Sequence, residues 1–283
     1  MVAQNQLYVI STPIGQNLDL SPRAKSLLSD VDVIAAEDTR VFKTLANELG
    51  IKVKKVVSYH DHNERNSALG LIQLLKQGQS VALVSDAGTP GVSDPSHNIL
   101  ELCYKEGIRV VPVPGPSSVM AALSVCPIGG AAHSFFGFVP SKSGERKKFF
   151  KKLSTLEHRF VVFESPHRVV EHLQEALEIF GDSPLFIARE MTKKFEEFLF
   201  ANISEHLAHF EEKPPKGEFV FIYAPVANET TDKDFDQWLD SQLREGLSHQ
   251  DILKAAQSRT KMNRKTIYSK ILALKKSNET KKK

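Results

Sequence analysis

The amino-acid sequence predicts an α/β protein with two domains and a small helical appendage at the C-terminus. Three patterns along its 283 residues lead to this fold class. Short apolar runs alternate with amphipathic segments as far as residue 125, which is typical of a parallel sheet with crossover helices. A segment rich in Gly, Pro and Ser then spans 126–144, and a polar linker follows Pro225. These breaks place the domains at 1–125 and 126–225, and the appendage at 226–283.

The first domain is predicted to contain five strands, each followed by a helix. β-Branched and apolar residues predict strands at 7–12, 32–37, 54–59, 80–85 and 108–113. Amphipathic segments predict helices near 21–29, 40–49, 64–77, 94–106 and 116–124. A capping residue and a first-turn proline support two of these starts, at Ser21-Pro22 and at Asp94-Pro95. Gly78 and Gly107 fall where helices should end.

The second domain is predicted to contain a mixed sheet. Its strands are expected at 159–164, 184–190, 195–200 and 217–223, with a helix at 167–180. The runs KFEEFLF and EFVFIY are typical of antiparallel strands. The segment 126–144 is interpreted as the hinge between the domains. In the appendage we expect helices at 233–245 and 248–275, the second broken near 258–264.

The composition is that of a globular protein, with 41% hydrophobic and 25% charged residues. No apolar run reaches the roughly 18 residues of a membrane-spanning helix, and MVAQNQ at the N-terminus lacks the zones of a signal peptide. Cys103 and Cys126 are the only cysteines, and no CxxC or HExxH motif occurs. We therefore expect a cytoplasmic protein with no disulfide framework, no metal site and no membrane attachment.

Positive charge is concentrated in two segments. Residues 261–283 contain nine Lys or Arg and one Glu. The other segment combines two aromatic residues with five cations: Arg146, Lys147, Lys148, Lys151 and Lys152 beside Phe149 and Phe150. Such patches neutralise phosphates, although a solvated helix face or a solubilising tail has the same composition. The two segments together favour a nucleic-acid partner.

Small and polar residues follow all five predicted strands of the first domain, in the segments PIGQN, EDTR, HDHNE, DAGTPG and PGPSS. Because the carboxyl ends of parallel strands share one edge of a sheet, this pattern predicts a ligand cleft there. Gly88 and Gly91 would let the backbone approach a ligand closely, and Asp86 could accept hydrogen bonds from it. No GxGxxG follows the first strand and no GxxxxGK[ST] occurs, so neither a dinucleotide fingerprint nor a P-loop is indicated.

The motifs LYVISTPIG, VDVIAAEDTR, SYHDHNE, VALVSDAGTPGVSDP, GIRVVPVPGPSS, FESPHR and KGEFV occur in this order between residues 7 and 224. In them the chain resembles the tetrapyrrole-methylase class of S-adenosylmethionine-dependent methyltransferases, and within that class the ribosomal RNA branch. The resemblance implies two α/β domains that bind the methyl donor in the cleft between them, in a homodimer. It also implies the reaction, which is methylation of the ribose 2'-hydroxyl of a cytidine in small-subunit (16S) ribosomal RNA, free or in the assembled subunit.

The resemblance further implies which residues contact S-adenosylmethionine. They are Pro13, Gly15, Asp86, Ala87, Gly88, Thr89, Ser117 and Ser118 in the first domain, and Phe163, Lys216, Gly217 and Glu218 in the second. The chain departs from the family pattern at two points. Gln16 interrupts the usual PIGNL motif, which leaves the roles of Gln16 and Asn17 open, and Ser96 stands where a glycine is common.

A general base would assist the reaction by accepting the hydroxyl proton. The candidates at the predicted edge are Glu37, Asp38, His60, His62, Glu64, Glu164 and His167, of which Glu164, His60 and Asp38 are put forward. Each has a structural alternative. Asp38 could form an ion-paired helix start with Arg40, Glu164 a salt bridge with Arg168, and His60 could hold its loop.

For contacts with the RNA backbone the sequence suggests Arg40, Arg65, Arg146, Lys147, Lys148 and Arg168. The phenylalanines at 135, 136, 138, 149 and 150 could stack on bases, but interior packing is the preferred interpretation for most of them. Two other functions stay open at this point. One is a methyltransferase of the same fold that acts on a small molecule such as a tetrapyrrole, and the other is a non-catalytic RNA-binding assembly factor.

Overall fold

The computed structural model of the chain describes residues 3–60, 64–225, 232–245, 247–257, 262 and 264–280. Its backbone contacts divide the chain into two compact units, Met1–Pro225 and Val226–Lys283. The first unit contains two five-stranded sheets, and the elements described in the second are helices. The domain boundary predicted at residue 125 falls inside the first unit, after the last strand of the first sheet, and stays a prediction.

The first sheet is entirely parallel, as predicted, with the strand order β3-β2-β4-β1-β5. Its strands are β1 (Gln6–Ile10), β2 (Val33–Ala36), β3 (Val56–Ser58), β4 (Val81–Val84) and β5 (Arg109–Val113). The helices that follow them are α1 (Pro22–Asp30), α2 (Thr39–Leu49), α3 (Glu64–Lys76), α4 (His97–Lys105) and α5 (Ser118–Val125).

Helices cover both faces of this sheet. Leu28 of α1 and Phe42 of α2 are buried against one face, and Leu71 of α3 and Ile99 of α4 against the other. Burial of such a side chain stabilises the fold by about 1.5–3 kcal/mol. β1 and β4 are neighbours, and the chain leaves them towards opposite faces. This divergence opens a crevice at the carboxyl ends of the strands.

The predicted helix starts are only partly correct. Ser21 caps α1 through a hydrogen bond from the backbone amide of Ala24, with Pro22 in the first turn. The helix predicted from Asp94-Pro95 instead begins at His97, and Ser96 precedes it without a capping side-chain bond. The buried Ser96 hydroxyl packs against Gly91, where an added Cβ would collide with it. Ser96 therefore packs against the DAGTPG loop and does not cap the helix.

The second sheet has the strand order β6-β7-β10-β8-β9 and is mixed, as predicted. Only β6 and β7 are parallel, and the other pairs are antiparallel. The strands are β6 (His133–Phe138), β7 (Arg159–Glu164), β8 (Pro184–Arg189), β9 (Glu197–Asn202) and β10 (Phe219–Tyr223). The helices are α6 (Ser143–Leu153), α7 (Val169–Phe180) and α8 (Ile203–Glu212), with a short 3-10 turn at Pro166–Arg168.

Within the segment 126–144, interpreted as the hinge into a second domain that starts near Phe135, the structure places β6 and the start of α6, so the second sheet begins at His133. Gly137 has a positive φ of 67°, and the pairing of β6 with β7 shifts register between Phe135 and Phe138. A glycine and an irregular register hide the strand in the sequence.

The two sheets are joined through α5. Val119 and Ala122 of this helix pack on Val161 and Ile222 of the second sheet, although α5 follows the last strand of the first. Ile14, from the loop after β1, belongs to the same buried cluster. This shared core explains why residues up to Pro225 form one compact unit.

The C-terminal unit contains α9 (Asp232–Arg244), α10 (His249–Gln257) and α11 (Arg264–Thr280). The buried residues Phe235, Leu239, Ile252, Ile267 and Ile271 form its own core. Most of the predicted break at 258–264 lies outside the described residues. Of the helices that the structure describes, none is long and apolar enough to cross a membrane.

Candidate functional site

The carboxyl edge of the first sheet meets the edge of the second sheet at which β8 ends and β10 begins. The contact joins the loop after β1 to the turn between β8 and β9. The backbone amide of Gln16 donates a 3.0 Å hydrogen bond to Thr192 Oγ1. A Cβ on Gly15 would lie 2.5 Å from Lys193 Cγ and 2.6 Å from Thr192 Oγ1. This close approach requires glycine at position 15.

A pocket of about 370 Å³ lies at this junction, and we call it the rim pocket. Its volume falls in the range of small-molecule sites. Its walls are formed by the segments after β1 and β4, by one side of α2, and by residues beside β8 and β10. The lining residues are Pro13, Ile14, Gly15, Asn17, Val41, Thr44, Leu45, Glu48, Asp86, Ala87, Lys193 and Glu218. Five of them, Pro13, Gly15, Asp86, Ala87 and Glu218, are among the predicted cofactor contacts.

Hydrogen bonds with the two residues that follow Ala36, the last residue of β2, hold Asp86 in place. Its Oδ1 accepts a 2.9 Å hydrogen bond from the backbone amide of Asp38, and its own amide donates to Glu37 Oε2 at 3.4 Å. Partial burial raises the pKa of Asp86, and the nearby Asp38 carboxylate adds to this effect, while the hydrogen bond from the Asp38 amide opposes it. The carboxylate is thus fixed in orientation at the wall of the rim pocket.

Gly88 and Thr89 lie behind this wall and shape the loop. Gly88 has a φ of +86° and exchanges backbone hydrogen bonds of 2.8 and 3.1 Å with Thr12. The Thr89 hydroxyl lies 2.9 Å from the carbonyl oxygen of Pro116 and 2.8 Å from Ser11 Oγ. These bonds tie the loops after β1, β4 and β5 together.

The other predicted cofactor residues lie outside the rim pocket. Ser117 caps α5 by accepting a 3.5 Å hydrogen bond from the Met120 amide, and Ser118 is the first residue of that helix. Phe163 packs against other aromatic rings of the second sheet. Gly217, with a φ of +92°, packs against Glu190. Lys216 lines a separate pocket of about 430 Å³, together with Arg189, Glu197, His209, Glu212, Lys213 and Pro214.

The prediction of Glu164 as a general base requires correction. Its side chain is fully buried, and both carboxylate oxygens are engaged. Oε1 accepts hydrogen bonds from Arg168 Nε at 2.8 Å and from the Ser165 amide at 2.7 Å, and Oε2 lies 3.1 Å from His172 Nδ1. The carboxylate thus forms a salt bridge with Arg168, which is the structural alternative to a role as general base.

His172 extends this buried network to Tyr223, whose hydroxyl lies 2.6 Å from His172 Nε2. Burial lowers the pKa of His172 and raises that of Tyr223. Burial would raise the pKa of Glu164, but hydrogen bonds from His172, the Ser165 amide and Arg168 together outweigh it, and the pKa is lowered. Because an ionised carboxylate only accepts hydrogen bonds, neutral His172 donates from Nδ1 to Glu164 and accepts at Nε2 from Tyr223.

Asp38 forms an ion-paired helix start with Arg40, which is its structural alternative to a role as general base. Its carboxylate accepts a hydrogen bond from the Arg40 amide at 2.8 Å, which caps α2. The Arg40 guanidinium binds it through Nε at 3.1 Å and an Nη at 2.6 Å. Hydrogen bonds from the Arg40 side chain hold the pKa of Asp38 far below its usual range. Such a weak base is poorly suited to accept a proton at neutral pH.

The remaining base candidates are placed differently. His60 follows β3 and is half-buried, and His62 lies outside the described residues. Glu64 accepts hydrogen bonds from the Tyr59 hydroxyl at 3.2 Å and from the Asn98 amide at 3.1 Å, so it holds local structure. His167 is exposed, in the 3-10 turn after β7. The assignment of His60 stays a prediction.

Arg146 was expected to contact RNA, and the structure corrects this. The residue is 0% exposed, with Nε 2.6 Å from Glu175 and an Nη 3.2 Å from Glu171. The neighbouring Lys147 is half-buried and paired with Glu178. The other predicted cations reach the surface to different extents: Lys148 and Arg65 are exposed, the Arg40 side chain is 89% exposed and that of Arg168 is 27% exposed.

The sequence patterns do not predict that α2 and the β8–β9 turn form part of the wall of the rim pocket. Glu48 accepts a 2.7 Å hydrogen bond from Asn17 Nδ2, which gives the irregular PIGQN segment a structural role. Lys193 lies in the run REMTKK between two predicted strands, so a cation in that loop was the available signal. The described lining of the rim pocket contains the carboxylates Glu48, Asp86 and Glu218, with Lys193 as its single cation. It therefore favours a polar ligand that carries positive charge.

Comparison with known proteins agrees with this architecture. Residues 6–206 match the family model described as Tetrapyrrole (Corrin/Porphyrin) Methylases. The chain is 42% identical over 217 residues to a Thermotoga maritima protein named ribosomal RNA small subunit methyltransferase I, covering 77% of this chain and 97% of that one. Proteins of the same name from Neisseria meningitidis and Synechocystis are 43% and 35% identical. The first match covers 81% of this chain and 79% of the relative, and the second 95% and 98%.

Solved structures share the fold at low sequence identity. The uroporphyrin-III C-methyltransferase of Thermus thermophilus aligns with a TM-score of 0.57 and 18% identity, over 78% of this chain and 96% of that chain. A cobalt precorrin-4 methyltransferase of cobalamin biosynthesis aligns with a TM-score of 0.56 and 17% identity, over 77% and 95%. The family match over residues 6–206 and the 42% identity to the Thermotoga maritima protein show that the chain belongs to the family of tetrapyrrole (corrin/porphyrin) methylases.

Proposed function

We propose that the chain is an S-adenosylmethionine-dependent methyltransferase whose substrate is small-subunit ribosomal RNA. The observation that carries this proposal is the rim pocket, built from the family loops of both sheets, in a chain 35–43% identical to proteins named for that activity. More specifically, we propose that it methylates the 2'-hydroxyl of a cytidine ribose, as the sequence resemblance implies.

The residues present fit S-adenosylmethionine. A pocket of about 370 Å³ is large enough for part or all of such a ligand. Gly15 leaves the pocket wall without a side chain, and Asp86 offers a fixed carboxylate at the same wall. Its negative charge, with those of Glu48 and Glu218, suits a sulfonium cation. Pro13, Gly15, Asp86, Ala87 and Glu218 would hold the cofactor, while Gly88 and Thr89 fix their loop.

When bound, the cofactor supplies a methyl group that is already activated by attachment to a positively charged sulfur. In the transfer, a bond from the ribose oxygen to the methyl carbon would replace the carbon–sulfur bond, with a neutral thioether as the leaving group. The chain's contribution is therefore alignment of the hydroxyl with that bond, and such positioning is worth about 7–11 kcal/mol at best. The hydroxyl proton would pass to solvent or to a base, and of Glu164, His60 and Asp38, the three bases put forward, His60 is the one that is retained.

Exposed cations support an RNA substrate. Arg40 and Arg65 lie in the first turns of α2 and α3, and Lys148 lies on α6. The C-terminal unit adds the basic segment 261–283. We propose that these cations bind the RNA backbone of the small subunit, in the cytoplasm where ribosomes are assembled, and that the enzyme is a homodimer.

The proposal is tested by mapping ribose methylation in small-subunit RNA by mass spectrometry, from cells with and without the gene. Loss of methylation at a single cytidine, restored by the wild-type gene, is expected. An unchanged pattern would contradict the proposal. Calorimetry with S-adenosylmethionine separates the alternatives, because a non-catalytic assembly factor would release no heat of cofactor binding. A tetrapyrrole methyltransferase would bind the cofactor and methylate a tetrapyrrole, but not the isolated subunit.

A further inference from the structure

The turn between β8 and β9, Glu190–Glu196, has a strained backbone where it borders the rim pocket. Glu190 has a φ of 48° and Thr192 a φ of 63°, both in the left-handed region. This region is unfavourable for non-glycine residues, and most of all for a β-branched one such as Thr192. Strain of this kind persists only when surrounding contacts enforce it, and it clusters at functional sites. The residue that the strained turn delivers into the pocket is Lys193.

Contacts with the β8–β9 turn itself and with the loop after β1 fix the position of Lys193. The backbone amide of Thr192 donates a 2.6 Å hydrogen bond to Glu196 Oε2, and the Thr192 hydroxyl accepts one of 3.0 Å from the Gln16 amide. The lysine Cγ lies so close to Gly15 that an added Cβ there would be only 2.5 Å away. The aliphatic part of Lys193 is thus clamped between the two sheets, and its ammonium group is positioned before any ligand arrives.

The ammonium group is held by two carboxylates of unequal exposure. Lys193 Nζ lies 3.1 Å from Glu190 Oε1 and 2.9 Å from Glu218 Oε2. Glu190 is 17% exposed, and its Oε1 also accepts a 2.9 Å hydrogen bond from the Glu218 amide. The Glu218 side chain is 72% exposed, so its ion pair with Lys193 is weak and easily replaced. Glu190 is therefore a fixed anchor, and Glu218 an exchangeable partner.

Lys193 stays protonated in this position. Desolvation would lower its pKa, but hydrogen bonds with Glu218 and Glu190 outweigh this effect and raise it. An ammonium group has three hydrogen-bond donors, and the two carboxylates use two of them. A third donor, and a second when Glu218 moves away, is available to an anionic ligand.

We infer that Lys193 binds a phosphodiester oxygen of the RNA next to the ribose that is methylated, a role that rests on the proposed function. Three carboxylates line the rim pocket and favour a sulfonium cation, but they repel a phosphate. A nucleotide that places its ribose beside the cofactor in this pocket brings a phosphate close to these carboxylates. Among the described lining residues, Lys193 is the cation that offsets this repulsion. Val41 of α2 also lines the pocket, and the exposed cation Arg40 precedes it in the chain.

The test compares the full chain carrying Lys193→Met, Lys193→Arg or Lys194→Met with the wild type. Methionine keeps the clamped aliphatic part and removes only the charge. Lys194 is the matched control, because it is exposed and its Nζ lies 5.5 Å from the centroid of the Phe195 ring, outside the rim pocket. Methyl transfer is measured with small ribosomal subunits from cells that lack the gene, over a range of salt concentrations. Calorimetry gives the Kd for S-adenosylmethionine.

Lys193→Met is expected to raise the KM for the subunit by about 10-fold or more and to leave the Kd for S-adenosylmethionine within about 2-fold. The slope of log KM against log salt concentration should fall by about one, because one phosphate contact is lost. Lys193→Arg should restore most of the affinity, and Lys194→Met should behave as wild type. A merely structural lysine would not change the salt slope.

Two results would overturn the inference alone. One is normal transfer by Lys193→Met with an unchanged KM and salt slope. The other is a weakened Kd for S-adenosylmethionine that accounts for the whole loss, since the lysine would then bind the cofactor's carboxylate. Failure of the wild-type chain to methylate the subunit, despite binding S-adenosylmethionine, would instead overturn the proposed function and this inference with it.

Discussion

The backbone amide of Asp38 donates a 2.9 Å hydrogen bond to Oδ1 of Asp86, and so links the ends of the neighbouring strands β2 and β4. Because the donor is a main-chain group, it persists whatever side chain residue 38 carries. The Asp38 carboxylate is occupied with capping α2 and binding Arg40. Orientation of the Asp86 carboxylate and stability of α2 are therefore separable by mutation.

Asp86→Asn is expected to weaken S-adenosylmethionine binding about 10-fold or more, because it removes a negative charge from the wall of the pocket proposed to bind this cation. Asparagine keeps an oxygen that accepts from the Asp38 amide, so the melting temperature should not change. Asp38→Ala is the matched control. It should lower the free energy of unfolding by about 0.5–2 kcal/mol through loss of the helix cap and leave cofactor affinity intact. Calorimetry and thermal unfolding measure the two effects, and equal affinity in Asp86→Asn would exclude Asp86 from the site.

Gly15→Ala is expected to abolish most activity without unfolding the chain. The new Cβ would collide with Thr192 Oγ1 and Lys193 Cγ, and would push the β8–β9 turn out of the rim pocket. Gly70→Ala provides the comparison, because Gly70 is an exposed residue of α3 whose added Cβ would meet no atom within 4 Å beyond its chain neighbours and the helix's own backbone. That change should stabilise the chain by about 0.5–1 kcal/mol and leave the rate of methyl transfer unaltered. Full activity in Gly15→Ala would mean that the turn need not lie against the β1 loop.

Arg146→Ala is expected to destabilise the fold by about 3–5 kcal/mol, because it leaves the buried carboxylate of Glu175 without its cation. Urea unfolding measures this loss. Lys148→Ala, two positions away and exposed, should change stability by no more than about 0.5 kcal/mol and instead raise the KM for ribosomal subunits. The reverse pattern, a stable Arg146→Ala variant with weakened RNA binding, would restore Arg146 as an RNA contact.

The free energy of unfolding is expected to fall as the pH drops from 7 to 5. Burial holds the pKa of His172 below its ordinary value of 6.5, so the folded chain keeps this imidazole neutral while the unfolded chain takes up a proton. A lowered folded-state pKa gives stability that is present above the unfolded pKa and lost below it, with a limiting slope of about 1.4 kcal/mol per pH unit for one proton. His206, whose pKa burial also lowers, acts in the same direction.

His172→Gln tests this assignment, because glutamine can bond both Glu164 and Tyr223 but does not titrate. Denaturant unfolding at a series of pH values should give a flatter profile for this variant between pH 7 and 5, with the remaining slope due to His206. Glu164, whose pKa lies below its ordinary value of 4.5, contributes only at lower pH. Identical profiles for wild type and variant would show that His172 takes up its proton in the folded state.

Those parts of the fold that depend on local pattern are predictable from the sequence. The five parallel strands appear as apolar runs because both faces of their sheet are covered. The helix α8 was missed, although a capping box formed by Asn202 and Glu205 marks its start. β6 was missed because Gly137 and a register shift interrupt its alternation.

The site was predictable only in part. The loops that carry Pro13 and Asp86 could be predicted to share a site, because each follows a strand of the parallel sheet and the ends of these strands lie at one edge. Burial of Arg146 could not be read from its neighbours, since it depends on carboxylates of α7 that pack across it. The positive φ of Glu190 and of Thr192 leaves no trace in residue type, so the turn that carries Lys193 resembled an ordinary loop.

The hydrogen bond between Gln16 and Thr192 spans 176 positions of the chain, so the two sides of the rim pocket are synthesised far apart in time. A nascent polypeptide that ends after α5 already contains every strand of the parallel sheet, yet it has only one side of the binding site. The opposite side, from Lys193 to Glu218, leaves the ribosome last among the residues that surround the pocket. We therefore expect affinity for a ligand of the rim pocket to arise late in translation, and a product that terminates after α5 to lack it.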